Sequence, residues 1–371
     1  MAKRCGNNEG SISRRKDGRW MGRYTIHTAE GPQQKSVYAR TRAEAAEKLI
    51  KAMADRDGGL IFDAKNLTVG EHLERWLEDS VKGSVKPVTF ESYQRMMKVH
   101  IKPTLGRLKL KALTPPHLRR LYREKLDAGF SSRTVQYAHA ILRRALKQAV
   151  NDGLIPRNPC EAVDPPQVRR EEIRPLDRDQ VRVLFEVARE YRLEALYIVA
   201  VHCGLRQGEL LGLRWNDVDL EAGTLQVRRT LSNGEFTTPK TAKSRRTVNL
   251  TPTAVDALKR HSERQAQEMM RADTLYQDQG LVFASMVGTP LSRRNLTRSF
   301  KALLRRAGLP HTVRFHDLRH TCATLLLSRG YNAKFVQELL GHATVAITLD
   351  TYSHVLPGMA DHAATMEDAL S

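Results

Sequence analysis

The spacing of hydrophobic positions changes several times along the chain and divides it into segments of different secondary structure. Near the start, residues 11–15 and 19–27 alternate in polarity and flank the turn pair Asp17-Gly18, as in a β-hairpin. A third alternating run covers residues 35–39, and Thr41-Arg42-Ala43-Glu44 then matches a helix capping box. The pattern predicts a three-stranded sheet followed by one helix.

Residues 67–154 change to apolar positions three and four apart, which is the spacing of amphipathic helices. A second capping box, Thr68-Val69-Gly70-Glu71, begins the first of four predicted helices. The second helix is expected to end before Pro103, and the fourth to follow Ser131-Ser132. Residues 155–175 carry several prolines among charged residues, which predicts an exposed linker.

The second half of the chain resumes with helices and includes a small sheet. Asp177 is a predicted N-cap, and a strongly apolar helix ends at Gly204. Strand-like runs at residues 224–230 and 245–250 flank the hairpin turn Asn233-Gly234, and two amphipathic helices follow. The predicted fold class is therefore mainly α with small β-sheets (α+β): a three-stranded sheet plus helix, a helical bundle, and a mixed but mostly helical domain.

Length and charge narrow the class of protein. The chain has 371 residues, enough for two or three domains with their own cores. Its formal net charge of +20 and pI of about 10.0 favour a polyanionic partner. A ribosomal or membrane-surface protein could share this balance, but here the charge is spread along the chain and is not gathered in a tail.

The cysteines and the apolar runs bear on location. The four cysteines lie far apart in the sequence and form no paired metal-binding spacing, which favours reduced thiols in a cytosolic protein. The polar residues at the start do not resemble a secretory signal, and no apolar run is long enough to cross a bilayer. We expect a cytoplasmic protein, in the bacterial cytoplasm or nucleoid, without a membrane partner.

The candidate chemistry lies near the end of the chain. His316-Asp317-Leu318-Arg319-His320 is followed by Gly341-His342 and then by Tyr352. Arginines bind phosphate through a planar fork, histidines move protons near neutral pH, and a tyrosine can act as a covalent nucleophile. The combination points to phosphoryl transfer.

Each of these residues also has a simpler interpretation. A single tyrosine is most often a half-buried packing residue, and an arginine most often lies on a solvated face. His316 and His320 are spaced like a zinc pair, but Asp317 replaces the glutamate of the metalloprotease pattern and Arg319 would repel a divalent ion. Only the combination of residues favours phosphoryl transfer over these alternatives.

Several blocks of sequence in the second half carry a family resemblance. They are HCGLRQGEL at residues 202–210, TPKT at 238–241 with SRR at 244–246, HDLRH at 316–320, LGH at 340–342 and LDTYSH at 349–354. In this order and spacing they resemble the tyrosine recombinase, or phage integrase, family. The resemblance implies six catalytic residues: Arg206, Lys240, His316, Arg319, His342 and Tyr352.

The resemblance also assigns roles. Tyr352 would be the nucleophile, His316 the base that takes its proton, and Lys240 the general acid for the departing 5′-oxygen. Lys243, three residues from Lys240, leaves the lysine assignment open. Glu209 is expected to support Arg206 rather than to react. The implied reaction needs neither a metal nor another cofactor.

The same resemblance gives a domain plan. Residues 1–62 would form an arm-type DNA-binding domain, 67–154 a helical (SAM-like) core-binding domain, 155–175 a linker and 176–371 the catalytic domain. The candidate DNA-binding residues are Arg14, Arg15, Arg19, Arg23, Lys98, Arg143, Arg144 and Arg245. A three-stranded ribbon can enter a major groove, and helix-borne cations can hold phosphates. The alternative is that these charges only solvate their faces.

The implied function is that of an integrase of a phage or mobile element. Such an enzyme cleaves and rejoins DNA through a 3′-phosphotyrosyl intermediate, as a homo-tetramer on core-type and arm-type sites of double-stranded attachment DNA. A DNA-bending host factor and an excisionase are the further partners that the resemblance suggests. Alternatives are a chromosome-dimer resolvase, a topoisomerase-like strand transferase, and a DNA-binding regulator without enzymatic activity.

Overall fold

The chain divides into two compact units, Met1–Arg170 and Glu171–Ser371, and the division falls within the predicted linker. The computed structural model describes residues 10–28, 31–57, 66–168, 175–238 and 245–353. Among these residues no helix is both long and apolar enough to span a bilayer. The combination of many helices with small antiparallel sheets confirms the predicted α+β class.

The chain begins with an antiparallel sheet of order β1-β2-β3 and a helix packed on it. Their bounds are β1 Ser11–Arg14, β2 Trp20–Thr28, β3 Gly31–Ala39 and α1 Arg42–Asp57. Tyr24 and Ile26 of β2 pack against Leu49 of α1, as the alternation predicts. Strand β3 begins earlier than expected and includes Pro32, which pairs with His27. Proline has no backbone N–H to donate, but β3 is an edge strand, so no further strand requires that donor.

The rest of the first unit is a helical bundle around one apolar core. Its helices are α2 Val69–Trp76, α3 Pro87–Met96, α4 Lys102–Leu105, α5 Pro115–Asp127 and α6 Ser132–Asn151. The capping box at Thr68 is present, since its hydroxyl accepts from the Glu71 N–H at 3.2 Å and its own N–H donates to the Glu71 carboxylate at 2.8 Å.

The expected helix end before Pro103 is wrong. A π-helical turn over Met97–Ile101 joins α3 to α4, and Pro103 lies in the first turn of α4. In a regular helix the proline ring would clash with the carbonyl four residues earlier. The wider turn directly before Pro103 changes that geometry and lets the chain remain helical.

The expectation of an exposed linker from residue 155 is also wrong for its first part. Ile155, Cys160 and Val163 are buried in the core of the helical bundle. Asn158 fixes the turn between them, because its side-chain oxygen accepts from the Cys160 N–H at 3.0 Å and its amide donates to the Arg143 carbonyl at 2.9 Å. Residues 155–163 are therefore the last part of the bundle, and residues 169–174 lie outside the described residues.

The second unit is built around a helix that is apolar on all sides. This helix, α8, contributes a continuous run of buried residues because other elements cover each of its faces. The helices of the unit are α7 Arg178–Ala188, α8 Glu194–Cys203, α9 Gln207–Leu211, α10 Pro252–Ala272, α11 Arg293–Arg306, α12 Asp317–Leu327, α13 Ala333–Leu340 and α14 Val345–Tyr352.

The expected single strand over residues 224–230 is instead two strands. The strands of this region are β4 Val218–Asp219, β5 Thr224–Val227, β6 Thr230–Ser232, β7 Glu235–Thr237 and β8 Arg246–Asn249. They form one sheet of order β4-β5-β8 and a separate hairpin of β6 and β7 around Asn233-Gly234. The break follows Val227, where Arg229 turns to the buried carboxylate of Asp217 at 2.9 Å.

Candidate active site

Two glycines that end helices each hold a predicted catalytic arginine. Gly204 ends α8 with a φ of 58°, and Gly341 ends α13 with a φ of 66°, a left-handed backbone that glycine adopts without a steric penalty. The Gly204 carbonyl accepts from Nη1 of Arg319 at 2.7 Å. The Gly341 carbonyl accepts from Nη2 of Arg206 at 3.2 Å. Both guanidinium groups are thereby fixed to backbone.

A buried carboxylate links Arg206 to a second arginine. Oε1 of Glu209 lies 2.8 Å from Nη1 of Arg206, and Oε2 lies 3.1 Å from Nη2 of Arg246, which also donates from Nε to the Leu339 carbonyl at 2.6 Å. Burial acts to raise the pKa of Glu209, but the charges of Arg246 and Arg206 outweigh it and leave this pKa below its usual range. Glu209 is therefore ionised and supports Arg206, as expected from the sequence.

Arg319 is buried, yet part of its guanidinium lacks a partner. Its side chain is 3 % exposed, and Nη2 has no hydrogen-bond partner among the residues that the structure describes. Burial and next the charge of Arg206 lower the pKa of Arg319, so its positive charge is held at a cost. An anion between Arg319 and Arg206 would satisfy Nη2 and offset that cost.

His342 presents one ring nitrogen beside these arginines. Its Nδ1 lies 2.9 Å from Oγ1 of the buried Thr348 in α14, which leaves Nε2 for another partner. Burial, followed by the charges of Arg319 and Arg206, lowers the pKa of His342 to about 4. The imidazole is therefore neutral at pH 7, and Nε2 can donate a hydrogen bond when Nδ1 accepts from Thr348.

Tyr352 is the last residue of α14 and is almost completely buried. It is 1 % exposed and packs against Leu327, Val336 and Leu340. Its hydroxyl is not in apolar surroundings, because Oη lies 2.7 Å from Nδ1 of His320. Burial raises the pKa of the phenol, and the charge of Arg319 opposes this effect. The phenol is therefore protonated at neutral pH and lies within electrostatic range of Arg319.

His316, the predicted base, lies beside His320 but makes no hydrogen bond to Tyr352 among the described residues. It is the N-cap of α12 and is exposed, and its ring meets that of His320 edge to face with centroids 5.1 Å apart. Although His316 reaches solvent, the surrounding protein removes part of the hydration of its imidazolium, and this loss together with the charge of Arg319 lowers the pKa of His316. The described residues contain no group of three histidines, cysteines or acids that could hold a metal ion, so His316 and His320 have no third ligand there.

The lysine of the predicted site belongs to a segment that the structure does not describe. Lys240 and Lys243 lie outside the described residues, which resume at the exposed Arg245. The following residue, Arg246 in β8, points into the site and contacts Glu209.

The four N-terminal arginines do not share one face. All four are exposed. Arg14 lies two residues after Ile12 and therefore on the same face of the sheet, the face that packs towards α1. Arg23 pairs with Ser11 and Ser36 and lies on the opposite face. The Arg15 guanidinium stacks on the Tyr38 ring at 5.2 Å, and Arg19 bonds to Asp17 at 2.8 Å. Arg15 and Arg23 are thus the better candidates for one binding face.

The helical bundle presents its predicted phosphate contacts to solvent. Lys98 follows α3, and Arg143 and Arg144 lie next to each other on α6; all three are exposed. The Arg144 guanidinium lies 6.0 Å from the Trp76 ring centroid. Exposure fits both interpretations, a DNA contact or a solvated face.

Three residues of the site were not assigned a catalytic or positioning role from the sequence. Arg246 lies inside the SRR block, His320 inside HDLRH and Thr348 four residues before Tyr352. A position inside or near a motif is only a weak signal that a residue has a function. The contacts of these side chains become visible only when α14 and β8 are packed in the folded unit.

One buried guanidinium with an unpartnered nitrogen, a second arginine nearby, a phenol and imidazoles form the arrangement expected of a site for phosphoryl transfer among the described residues. Comparison with known proteins agrees with this class. Residues 174–358 match the model of the phage integrase family, and residues 68–126 match the phage integrase N-terminal SAM-like domain.

Similar proteins span nearly the whole chain. A tyrosine recombinase XerC-like protein of Caldanaerobacter subterraneus subsp. tengcongensis is 33 % identical over 359 residues, covering 90 % of this chain and 92 % of the relative. A solved structure of the Tn1549 transposon integrase with transposon right end DNA has a TM-score of 0.71 at 22 % identity, covering 82 % of this chain and all of the other. The lambda integrase tetramer bound to a Holliday junction has a TM-score of 0.62 at 20 % identity, covering 92 % and 94 %.

The chain belongs to the tyrosine recombinase (phage integrase) family. Members of this family are enzymes that cleave and rejoin DNA, and its integrase and XerC-like relatives indicate site-specific recombination.

Proposed function

We propose that the protein is an integrase that cleaves one DNA strand with Tyr352 and rejoins it to another, inserting a phage or mobile element into a chromosome and also excising it. The observation that carries this proposal is the buried Nη2 of Arg319, which lacks a partner among the described residues and lies in the same unit as the ionised pair Arg206–Glu209. A phosphodiester oxygen has the charge and acceptor geometry that this donor needs.

The charge that develops during the reaction suggests the role of each cation. Attack on a phosphodiester increases negative charge on the non-bridging oxygens, and positioned donors stabilise it. Arg206 and Arg319 each provide a planar fork, and His342 provides Nε2. Loss of one such donor typically lowers the rate about 10²–10³-fold. His316, at the N-cap of α12 and within range of the Arg319 charge, would add a further donor to the phosphate.

The chemistry of the intermediate gives reversibility. Oη of Tyr352 would form a bond to phosphorus and leave a 3′-phosphotyrosyl linkage, while the 5′-oxygen departs with a proton from Lys240. Because the tyrosyl phosphodiester conserves the energy of the broken DNA bond, a 5′-hydroxyl of another strand can reverse the step without ATP.

The partners are double-stranded attachment sites. We assign core-type DNA to the helical bundle (67–154) and the catalytic unit (176–371), which the remainder of the predicted linker joins along the chain. We assign arm-type DNA to the N-terminal sheet (1–62). The exposed Arg15, Arg23, Lys98, Arg143, Arg144 and Arg245 and the net charge of +20 support DNA contacts. The tetrameric lambda structure supports a homo-tetramer on two duplexes. Direction would be controlled by a DNA-bending host factor and an excisionase in the bacterial cytoplasm or nucleoid.

A resolvase of chromosome dimers is the second candidate, because the relative at 33 % identity is XerC-like. The N-terminal sheet with its exposed arginines favours the integrase, since a resolvase acting on short identical sites needs no arm contacts. A substrate panel separates them. An integrase requires two different attachment sites, a resolvase acts on two identical sites, and a topoisomerase-like enzyme relaxes supercoils without either.

The decisive experiment traps the covalent intermediate. The protein is incubated with a library of nicked duplexes of randomised sequence, and complexes that survive detergent are recovered and sequenced. Tyr352→Phe should bind the recovered DNA but form no covalent complex, whereas Tyr331→Phe, which removes the hydroxyl of a half-exposed tyrosine, should behave as the parent protein. A label on the strand that ends in the 3′-phosphate, upstream of the break, should remain on the protein, whereas a label on the strand that begins with the 5′-hydroxyl should be released. Binding without any covalent product would instead favour the DNA-binding regulator.

A further inference from the structure

The hydroxyl of Tyr352 is held by an imidazole to which the sequence patterns assigned no part in the reaction. Nδ1 of His320 lies 2.7 Å from Oη of Tyr352, and the two ring centroids are 5.7 Å apart. His320 lies in the first turn of α12, directly after Arg319, and Tyr352 ends α14. With the phenol 1 % exposed, this contact is made inside the protein and not through solvent.

His316 does not compete for this position. It is exposed one turn earlier on α12, and its ring contacts the edge of His320 at a centroid distance of 5.1 Å. Within the described ranges no hydrogen bond joins His316 to the phenol. The three rings therefore form a row from the protein surface inwards, with His316 contacting His320 and His320 contacting Tyr352.

The surroundings keep His320 neutral before DNA binds. Burial and the neighbouring His316 lower its pKa to about 4, with Arg319 and Arg314 acting in the same direction and Asp317 opposing. A neutral imidazole carries one proton, so Nδ1 accepts from the phenol when that proton is on Nε2. Charged and titratable side chains from several elements face His320. They are Arg314 from the segment before α12, His316, Asp317 and Arg319 from the start of α12, His342 from the turn after α13, and Tyr352 from α14.

We propose that His320 is the general base of the cleavage step and accepts the Tyr352 proton at Nδ1. This proposal rests on the proposed function. As Oη forms its bond to phosphorus, its proton moves to Nδ1, the bond from phosphorus to the 5′-oxygen breaks, and that oxygen takes a proton from the general acid. A phosphodiester bound to Arg206 and Arg319 brings negative charge to the site, which favours the imidazolium. On rejoining, the imidazolium returns the proton to the phenol.

The test isolates activation of the nucleophile. The substrate is a nicked duplex of the sequence recovered from the library, with sulfur replacing the bridging 5′-oxygen, because a thiolate leaves without a proton. His320→Asn retains a polar group near the position of Nδ1 but cannot take up a proton near neutral pH. Its single-turnover rate should fall about 10²–10⁴-fold while DNA binding is retained. His311→Asn, in an exposed loop, is the matched control and should not change the rate.

Two further readouts separate a base from a residue that only positions the phenol. The cleavage rate of His320→Ala should rise with added imidazole in proportion to its unprotonated fraction. The parent rate should fall at acidic pH, and the His320→Asn rate should be less dependent on pH. A His320→Asn rate within about threefold of the parent, or no response of His320→Ala to imidazole, overturns the proposal.

The assignment of the base can fail without loss of the proposed function. If His316→Asn shows the large loss on the sulfur substrate and His320→Asn does not, the base is His316. If Tyr352→Phe still forms the covalent complex, the proposed function itself is wrong. Urea unfolding of each variant checks that a lost rate does not reflect a lost fold.

Discussion

Thr348 and Tyr352 lie one turn apart on α14, and each contacts an imidazole of the active site. Oγ1 of Thr348 lies 2.9 Å from Nδ1 of His342, and Oη of Tyr352 lies 2.7 Å from Nδ1 of His320. Both side chains are at most 1 % exposed. The helix that carries the nucleophile therefore also orients a histidine that we assign to the phosphate, so docking of α14 completes both parts of the site together.

Thr348→Val should lower cleavage without unfolding the protein. Valine keeps the shape of threonine but cannot bond to Nδ1, so the ring of His342 would lose the contact that fixes its orientation. We expect the single-turnover rate to fall about 10-fold or more, as for loss of an orienting partner. Thr351→Val is the control, because that hydroxyl donates to the Ile347 carbonyl of its own helix. Equal rates for the two variants would contradict an orienting role for Thr348.

Glu209→Gln should destabilise the catalytic unit. Glu209 is the buried anion between Arg206 and Arg246, and removing one partner of a buried ion pair leaves an uncompensated charge. We expect the free energy of unfolding to decrease by about 3 kcal/mol, measured with urea. Glu190→Gln removes an exposed partner of Arg306 and should change the free energy of unfolding by less than about 0.5 kcal/mol. Similar losses of unfolding free energy for both variants would show that the buried ion pairs of Glu209 stabilise the fold no more than an exposed ion pair does.

The local patterns of the sequence were enough for most elements and for the identity of the arginines. The Thr68 capping box, the Asn233-Gly234 turn and Gly204 each depend on a few neighbouring residues, and the structure contains them where expected. The box predicted at Thr41 is present only in part, because the Glu44 N–H donates to Thr41 but the Glu44 carboxylate accepts from the Arg40 N–H. Burial of residues 155–163 could not be predicted in this way, because Pro156 and Pro159 suggest a linker whereas Ile155 and Cys160 find their core only in the folded bundle.

The same limit applies to the contacts of the site. Tyr352 and His320 are far apart in sequence, and the spacing of motifs does not tell which of His316 and His320 meets the phenol. That choice is made by the way α14 packs on α12, which places Tyr352 against Leu327 and directs Oη to His320. The break of the predicted strand at residue 228 has a similar cause, since it depends on the distant carboxylate of Asp217.

Stability should decrease at acidic pH because two half-buried histidines, His320 and His342, resist protonation. The pKa values of His320 and His342 are lowered to about 4, from about 6.5 in an unfolded chain. Between these values the unfolded state binds protons that the folded state does not, so the free energy of unfolding falls as the pH decreases from about 6.5 to about 4.

Replacing both histidines by asparagine should make this pH dependence shallower. Urea unfolding at pH 7 and at pH 5 gives the change in the free energy of unfolding between these pH values, for the parent and for the double variant. His311→Asn, which replaces an exposed histidine, should leave the parent difference unchanged. A double variant that loses as much stability between these pH values as the parent would place the acid sensitivity in other groups.

Gly204→Ala should impair both stability and cleavage. At its φ of 58° any L-residue is strained, and a Cβ would lie 2.5 Å from Cδ2 of Leu340 and 3.2 Å from Sγ of Cys322. Leu340 and Cys322 are buried, so they cannot move aside without displacing the core. Because the Gly204 carbonyl holds Nη1 of Arg319, any shift of this turn also moves the guanidinium that we assign to the phosphate.

Gly223→Ala separates backbone strain from this crowding. Gly223 has a similar φ of 62°, but a Cβ there would meet only the Leu250 carbonyl at 4.0 Å. We expect both variants to lose roughly 1–2 kcal/mol from strain. Gly204→Ala should lose about 1–3 kcal/mol more from overpacking. Only Gly204→Ala should cleave the nicked duplex more slowly at a temperature where both variants are folded. If Gly204→Ala cleaves at the parent rate, the bond to Gly204 is not what positions Arg319, and its guanidinium must be held in place by DNA.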